Sequence, residues 1–278
     1  MANNIDRYQS FIASVLDRLE KATKEIHTKV LEVITSNISK LVRDGRLSSD
    51  SSYWNIINKM GLEIDKIVAK KLDITNIVAN FDEIESYSIA INKEINNINI
   101  GGVIKDINGS KLLLIQQVED MLNVNGIKFN YTQPIKQWLL NSVTVGKSYS
   151  KALEELKTLS DSGVTVGNTK VVPLQRYATQ VCRDAYRLYN GQIQKKTAEV
   201  YAMNGFIYTG SLVADSRPIC IVLSDRKYTL FSELQGILDR TSKEGMYPNT
   251  NKDNFIQYCG GYQCDHLAYA TKIKTKNV

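Results

Sequence analysis

The chain has 278 residues, 43 % of them hydrophobic and 23 % charged, which is enough apolar material for a core and excludes a disordered composition. Its formal charge of +6 and pI of about 8.9 exclude a histone-like nucleic-acid packer, while contact with DNA or with an acidic protein surface stays open. Only 4 Pro, and long stretches free of Gly, favour helices over a strand-and-turn architecture.

Residues 1–25 are polar and amphipathic, without the apolar core of a secretory leader. No run of about 18 apolar residues occurs, so no membrane span is expected. The expectation is a soluble chain made in the cytoplasm, with Cys182, Cys220, Cys259 and Cys264 reduced rather than paired in a disulfide framework.

Taken in chain order, Ile5, Tyr8, Ile12, Val15, Leu19, Ala22, Ile26, Val30 and Val33 recur at steps of three and four, continuing to Leu41. This is the stripe of a long coiled-coil-like helix, and Gly45 is expected to stop it. His27, set among charged neighbours, is expected at the surface. After the polar linker GRLSSDSS, a second stripe runs through Ile57, Met60, Ile64, Ile67, Ile74, Val78 and Phe81 and on to Ile95. Two such helices joined by a short loop predict an antiparallel hairpin. Gly101, Gly102 and Gly109 predict a break there, as a short hairpin or an irregular loop.

Helical patterns resume over 111–122, 133–145 and 148–160. The stretch SDSGVTVGNTKVVP predicts a loop with a short strand pair. Pro173 opens a further helix to about Met203, ended by Gly205. Phe206-Ile207-Tyr208 predicts a strand, Ile219–Leu223 a strand or helical turn, and 225–227 a turn. Thr229 is a candidate N-cap for a short helix carrying Phe231, Leu234, Ile237 and Leu238. The tail KIKTKNV is basic and expected to fray. The fold expected is mainly α: a long helical hairpin over 1–100, a helical middle region over 101–204, and a small α+β module over 205–278.

That last segment carries an ordered motif set. A helix with Arg176, Thr179, Ala185, Tyr186 and Asn190 leads to Gly205 and an aromatic strand. Asp215-Ser216-Arg217-Pro218-x-Cys220 follows, then Arg226-Lys227-Tyr228-Thr229, then Gly260-Gly261-Tyr262-x-Cys264-x-His266. In this order the residues resemble the C-terminal domain of the phage Mu F-like minor head proteins, the head morphogenesis family, over about residues 174–271. Where many relatives carry Cys-Pro-x-Cys in the front motif, only Cys220 stands here. Where many carry Arg after the last Cys, this chain has Asp265. The resemblance implies a virion protein acting in head morphogenesis, assembled in the host cytoplasm, in multiple copies around the portal vertex or head–tail junction. Its implied partners are the portal protein, neighbouring capsid or head–tail proteins, and packaged double-stranded DNA, with no membrane.

Cys220, Cys259, Cys264 and His266 are the candidate metal ligands, since zinc takes thiolate and imidazole in a tetrahedral shell. Cys264 and His266, two apart, would share one face of a strand. Buried, reduced thiols are the expected state and no cofactor is expected; bound zinc, or a Cys220–Cys264 link in extracellular particles, is the alternative. Asp215 and Arg217 flank a turn at Pro218, which holds Arg217 out of helical geometry. Both are expected to pin that turn by hydrogen bonds and a salt bridge to the Cys264-Asp265-His266 segment. Gly260-Gly261 requires a positive φ or a close backbone approach, and Tyr262 completes the motif.

With two histidines, His27 and His266, and no Walker A, HExxH, GxSxG or CxxC motif, no enzyme is expected. Two other functions remain open at this level. A DNA-binding protein ejected with the genome would use the net charge and Lys272, Lys274 and Lys276. A nuclease-type effector would need His266 to work with Asp215, Arg217 or Tyr269.

Overall fold

The computed structural model describes residues 3–48, 52–69, 72–161, 163–166, 169–171, 173–262 and 264–274. The protein is mainly α, with a long N-terminal helix and a small α+β module toward the C-terminus. Helix α1 (Asn3–Ile38) follows the predicted stripe. It does not end on Gly45. A single 3-10 turn over Ser39–Leu41 closes it, and strands β1 (Val42–Arg43) and β2 (Arg46–Leu47) follow. Asp44 and Gly45 have φ of 52° and 75° and form the hairpin turn between these strands. Asp-Gly is the pair that a two-residue hairpin turn of this kind demands.

The second predicted stripe is two helices, α2 (Tyr53–Ala69) and α3 (Ile74–Asn96). The buried positions explain the break. They run Ile57, Met60, Ile64, Val68 and then Ile77, Phe81, Ile84. At about 3.6 residues per turn, the step from Val68 to Ile77 puts the two sets about half a turn apart. One straight helix cannot bury both. The glycines at 101, 102 and 109 do not make a loop either. They lie in the first turns of α4 (Gly101–Asp106) and α5 (Asn108–Leu122), where an early glycine weakens a helix least. Asn99 Oδ1 accepts the Gly101 N–H at 2.9 Å and helps to start α4.

Helix α6 (Val124–Ile127) runs through a π-helical turn, Lys128–Thr132, into α7 (Gln133–Thr144) and then α8 (Tyr149–Asp161). Strands β3 (Val164–Val166) and β4 (Thr169–Val171) pair antiparallel. Helix α9 (Leu174–Val200) ends before a residue of positive φ, Ala202 at 47°. Gly205 therefore does not terminate it but begins β5 (Gly205–Thr209). The 219–223 run is helical, inside α10 (Pro218–Arg226). Thr229 caps nothing: it is buried within β6 (Tyr228–Leu230), and α11 (Phe231–Arg240) starts after an extended Leu230 with no side-chain cap. Helix α12 (Phe255–Tyr258) and β7 (Leu267–Thr271) close the described chain. Lys276 and most of the expected frayed tail lie outside the described residues.

Two compact units emerge, each assembled from separated stretches rather than from consecutive segments. One comprises 14–75 and 117–181. Its core joins Ile26, Val30, Ile34 and Ile38 of α1 to Ile57, Met60 and Ile64 of α2, and to Tyr131, Ile135, Leu139 and Leu156. His27 belongs to this interior. It is 3 % exposed, and its Nδ1 lies 2.5 Å from the Tyr131 hydroxyl. The surface expectation fails because the packed face of α1 includes Thr23, His27, Val30 and Ile34, a run of helical steps that the charged neighbours obscure.

The other unit comprises 1–13, 76–116 and 182–278. Its sheet has the antiparallel order β6-β5-β7. Phe206 and Tyr208 stand on one face opposite Ala270 and Ala268. There they join Ile219, Leu223, Leu234, Ile237, Phe255 and Cys259 in one apolar core. Every residue of β7 is buried. Its outer edge is capped by side chains: Gln194 Oε1 accepts from Ala270 N at 3.2 Å, and Asn96 Nδ2 donates to Ala270 O at 2.8 Å. Such capping removes an open strand edge. Tyr186 and Tyr189 of α9 pack on Phe81 of α3, and their hydroxyls donate to Ile77 O and Glu85 Oε1.

Candidate functional site

Three of the residues singled out in the motif set meet in this second unit. Cys220 sits in the first turn of α10, which Pro218 opens with the fixed φ suited to a helix start. Cys264 and His266 lead into β7 from the 259–262 turn. The Cys220 and Cys264 sulfurs are 3.8 Å apart, and Cys264 Sγ is 3.7 Å from His266 Nδ1. All three side chains are buried, and their ligand atoms lie within 4.8 Å of one another.

The surroundings fit closely. The His266 ring stacks on Tyr208 at 5.2 Å with 10° between planes, and the Tyr208 hydroxyl donates to Cys220 Sγ at 3.4 Å. A Cβ on Gly260 would stand 2.6 Å from both sulfurs, so the turn passes where no larger residue fits. Gly261 has φ of 98°. The Gly-Gly pair thus supplies both features expected of it, a close approach and a left-handed residue.

Charge and hydrogen bonding separate the two thiols. The S–H donated by Cys220 holds Cys264 below the ordinary thiol range, against its burial, and His266 adds to this. The same hydrogen bond, together with burial, pushes Cys220 up. Burial pushes Tyr208 well above a normal phenol, and the neighbouring Cys264, Cys259 and Cys220 add to this. His266 Nε2 is buried with no hydrogen-bond partner among the described residues. Buried polar atoms are seldom left so.

Cys259 is not part of the cluster. It is pushed up to about 12 by burial, and its sulfur turns to the carbonyl of Ile256 at 3.7 Å. With φ of 46° at Cys259, the chain bends there and its side chain joins the apolar core instead. Cys182, on α9, is likewise buried and pushed up to about 12 by burial.

Arg217 takes extended geometry, φ −63° and ψ 148°, and its guanidinium donates to the Tyr262 carbonyl at 2.6 Å. Gly245 makes room for it, since a Cβ there would fall 2.3 Å from Arg217 Nε. The turn is pinned to the closing segment through this backbone carbonyl. The expected salt bridge from Asp215 is absent: Asp215 is exposed and makes no ion pair among the described residues. The acid of the closing segment, Asp265, pairs instead with Arg183 of α9 at 3.2 Å. Tyr262 is 44 % exposed, and its ring lies 4.1 Å from that of Tyr247.

A cavity of about 570 Å³ opens beside the cluster. Cys220, Cys264 and His266 line it together with Asp215, Arg217 and Glu244. Tyr269, the further partner considered for a nuclease, does not reach it. It sits buried on β7 with its hydroxyl unpartnered among the described residues.

Two organising residues escape a motif reading. Tyr208 touches both Cys220 and His266. Its only sequence signal is its place two after Phe206 on an aromatic strand, which puts both on one face. Arg187, 4 % exposed, donates to the Tyr258 carbonyl and to the Tyr247 hydroxyl, and so anchors the 247–258 segment to α9. Its signal is its position one after Tyr186, on a helix whose other arginines are partly exposed. No family model matches the chain, and no curated protein and no solved structure matches it either.

Proposed function

We propose that the chain is a structural protein of a phage head, acting in head morphogenesis at the portal vertex or head–tail junction without catalysis of its own. It is assembled in the host cytoplasm, remains in the virion in multiple copies around a symmetric vertex, and contacts the portal and neighbouring capsid or head–tail proteins. The reading starts from the ordered motif set and its resemblance to the Mu F-like minor head proteins.

One observation supports it best. The front and rear motifs, 44 residues apart at Cys220 and Cys264, close on each other and are spent on architecture. Arg217 holds the Tyr262 carbonyl, Gly260 admits both sulfurs, and Tyr208 holds Cys220 and His266. Residues committed to fixing a small fold suit a head component better than a chemical step. Mass spectrometry of purified immature and mature heads should find this chain in fixed proportion to the portal. Its absence from both kinds of particle would sink the reading.

A further inference from the structure

We propose that Cys220, Cys264 and His266 bind one zinc(II) ion through the two Sγ atoms and Nδ1, with water from the adjoining cavity as fourth ligand. This stands on geometry and does not rest on the head-protein reading.

Two thiolates on one tetrahedral zinc, each at about 2.3 Å, stand about 3.8 Å apart, and a thiolate and an imidazole nitrogen about 3.6 Å. The two sulfurs here are 3.8 Å apart, and Cys264 Sγ and His266 Nδ1 are 3.7 Å apart. The third edge closes within 4.8 Å. Two edges match those of a tetrahedral face, and along the third the imidazole would close on Cys220 as the ion binds. The two cysteines are free thiols here, with their sulfurs well outside the roughly 2.05 Å of a disulfide bond.

The ligands are held by elements that packing fixes. Pro218 starts the helix that presents Cys220, and Gly260 lets the turn pass against both sulfurs, where a Cβ would fall 2.6 Å from each. Tyr208 stacks on the imidazole and donates to Cys220 Sγ. That is the supporting hydrogen bond a ligating group normally carries. With Nδ1 on the metal, the ring proton belongs on Nε2, which has no hydrogen-bond partner among the described residues and so would need one from a water. The three ligands line one cavity of about 570 Å³, so the fourth position has water at hand. Cys259 contributes nothing, since its sulfur faces the Ile256 carbonyl.

The test uses the full chain, purified with reductant and without chelator, then dialysed against zinc and against buffer. Elemental analysis should find one zinc per chain. Cobalt(II) in its place should give thiolate charge-transfer bands and the visible bands of a tetrahedral ion. Cys220→Ser, Cys264→Ser and His266→Gln should each lose the metal and the bands, while Cys259→Ser and Cys182→Ser keep both. Tyr208→Phe should keep the metal with about tenfold weaker affinity. Since the ligand variants could fail to fold, the wild-type chain supplies an independent reading: its thermal midpoint should rise with zinc and fall with a chelator. A folded wild-type chain that takes up no zinc or cobalt overturns the proposal. So does a mass two hydrogens short that maps to a Cys220–Cys264 disulfide in the untreated protein.

Discussion

Protonating His27 would place a charge among Ile26, Val30 and Tyr131 in the interior of the 14–75 and 117–181 unit. Burial lowers its pKa from 6.5 to about 4, and the sign of the consequence follows. Above pH 6.5 the imidazole is neutral in both folded and unfolded chains, and it contributes no pH dependence. Below that, the unfolded chain binds a proton that the folded chain refuses until about pH 4. Stability should therefore fall as pH drops through this window, by about 3 kcal/mol in all, and level off below it. His27→Leu should remove that slope, at a constant cost of about 1–3 kcal/mol from the Tyr131 hydroxyl left without its partner. Urea unfolding of both proteins at several pH values measures it, and equal slopes would refute the assignment. The buried His27 was legible in its spacing, four from Thr23 and three from Val30. Lys24, Glu25, Lys29 and the other charged neighbours drew the sequence reading outward. The cluster residues were legible for a different reason: cysteines and a histidine in one segment are chemically conspicuous. Tyr208, which supports them, was not, because an aromatic residue on a strand looks like any core residue.

Helix α9 shows how one element fixes a site it does not enter. Its Arg187 guanidinium donates to Tyr258 O and Tyr247 Oη, with Asp184 3.7 Å away. Arg187→Leu leaves the half-buried Tyr258 carbonyl with the Gly261 N–H at 3.1 Å as its remaining donor and takes the donor from the Tyr247 hydroxyl, and should destabilise by about 1–3 kcal/mol. Four residues on, Gly191 meets the same segment. A Cβ there would stand 2.2 Å from the Gln257 carbonyl oxygen, which is backbone and cannot rotate away. Gly191→Ala should cost about 1–3 kcal/mol through overpacking, although alanine ordinarily favours a helix. Denaturation midpoints that shift with unchanged m-values would confirm both, and a stabilising Gly191→Ala would contradict the contact. At this scale the sequence reading located the helices over 111–122, 133–145, 148–160 and 173–203 well, because each carries its own apolar period. It erred where the local signal was ambiguous. Asp44-Gly45 serves a hairpin as readily as a helix end, and the Val68 to Ile77 step hides a change of face inside a continuous apolar texture. Gly101 and Gly102 start a helix that Asn99 Oδ1 helps to open and that buries Val103.

The sequence places 205–278 together by texture, but the fold gives that stretch two sorts of support. One face of β6-β5-β7 has its own core, with Phe206, Tyr208, Ile219, Leu234 and Phe255. The other face carries Ile207 and Tyr269, register partners that are 4 % and 1 % exposed and lie outside that core. The free edge of β7 is satisfied by Gln194 of α9 and Asn96 of α3, and Arg187 of α9 holds Tyr258. A chain of residues 205–278 alone would expose that second face and open the edge. Each large apolar side chain returned to water forfeits about 1.5–3 kcal/mol, against a typical total stability of about 5–15 kcal/mol. Extending the fragment back to residue 174 restores α9, yet leaves Tyr186 and Tyr189 without Phe81, Ile77 and Glu85 of α3. Neither fragment should therefore give a dispersed amide NMR spectrum or a cooperative thermal transition, with or without zinc. The full chain should give both. A dispersed spectrum from 205–278 alone would show that its own core suffices and that α3 and α9 add only incidental contacts. The expected failure would mean that the Cys220–Cys264–His266 cluster is held by a unit whose parts lie far apart in sequence, so its metal affinity should respond to Arg187→Leu as well as to changes at the ligands.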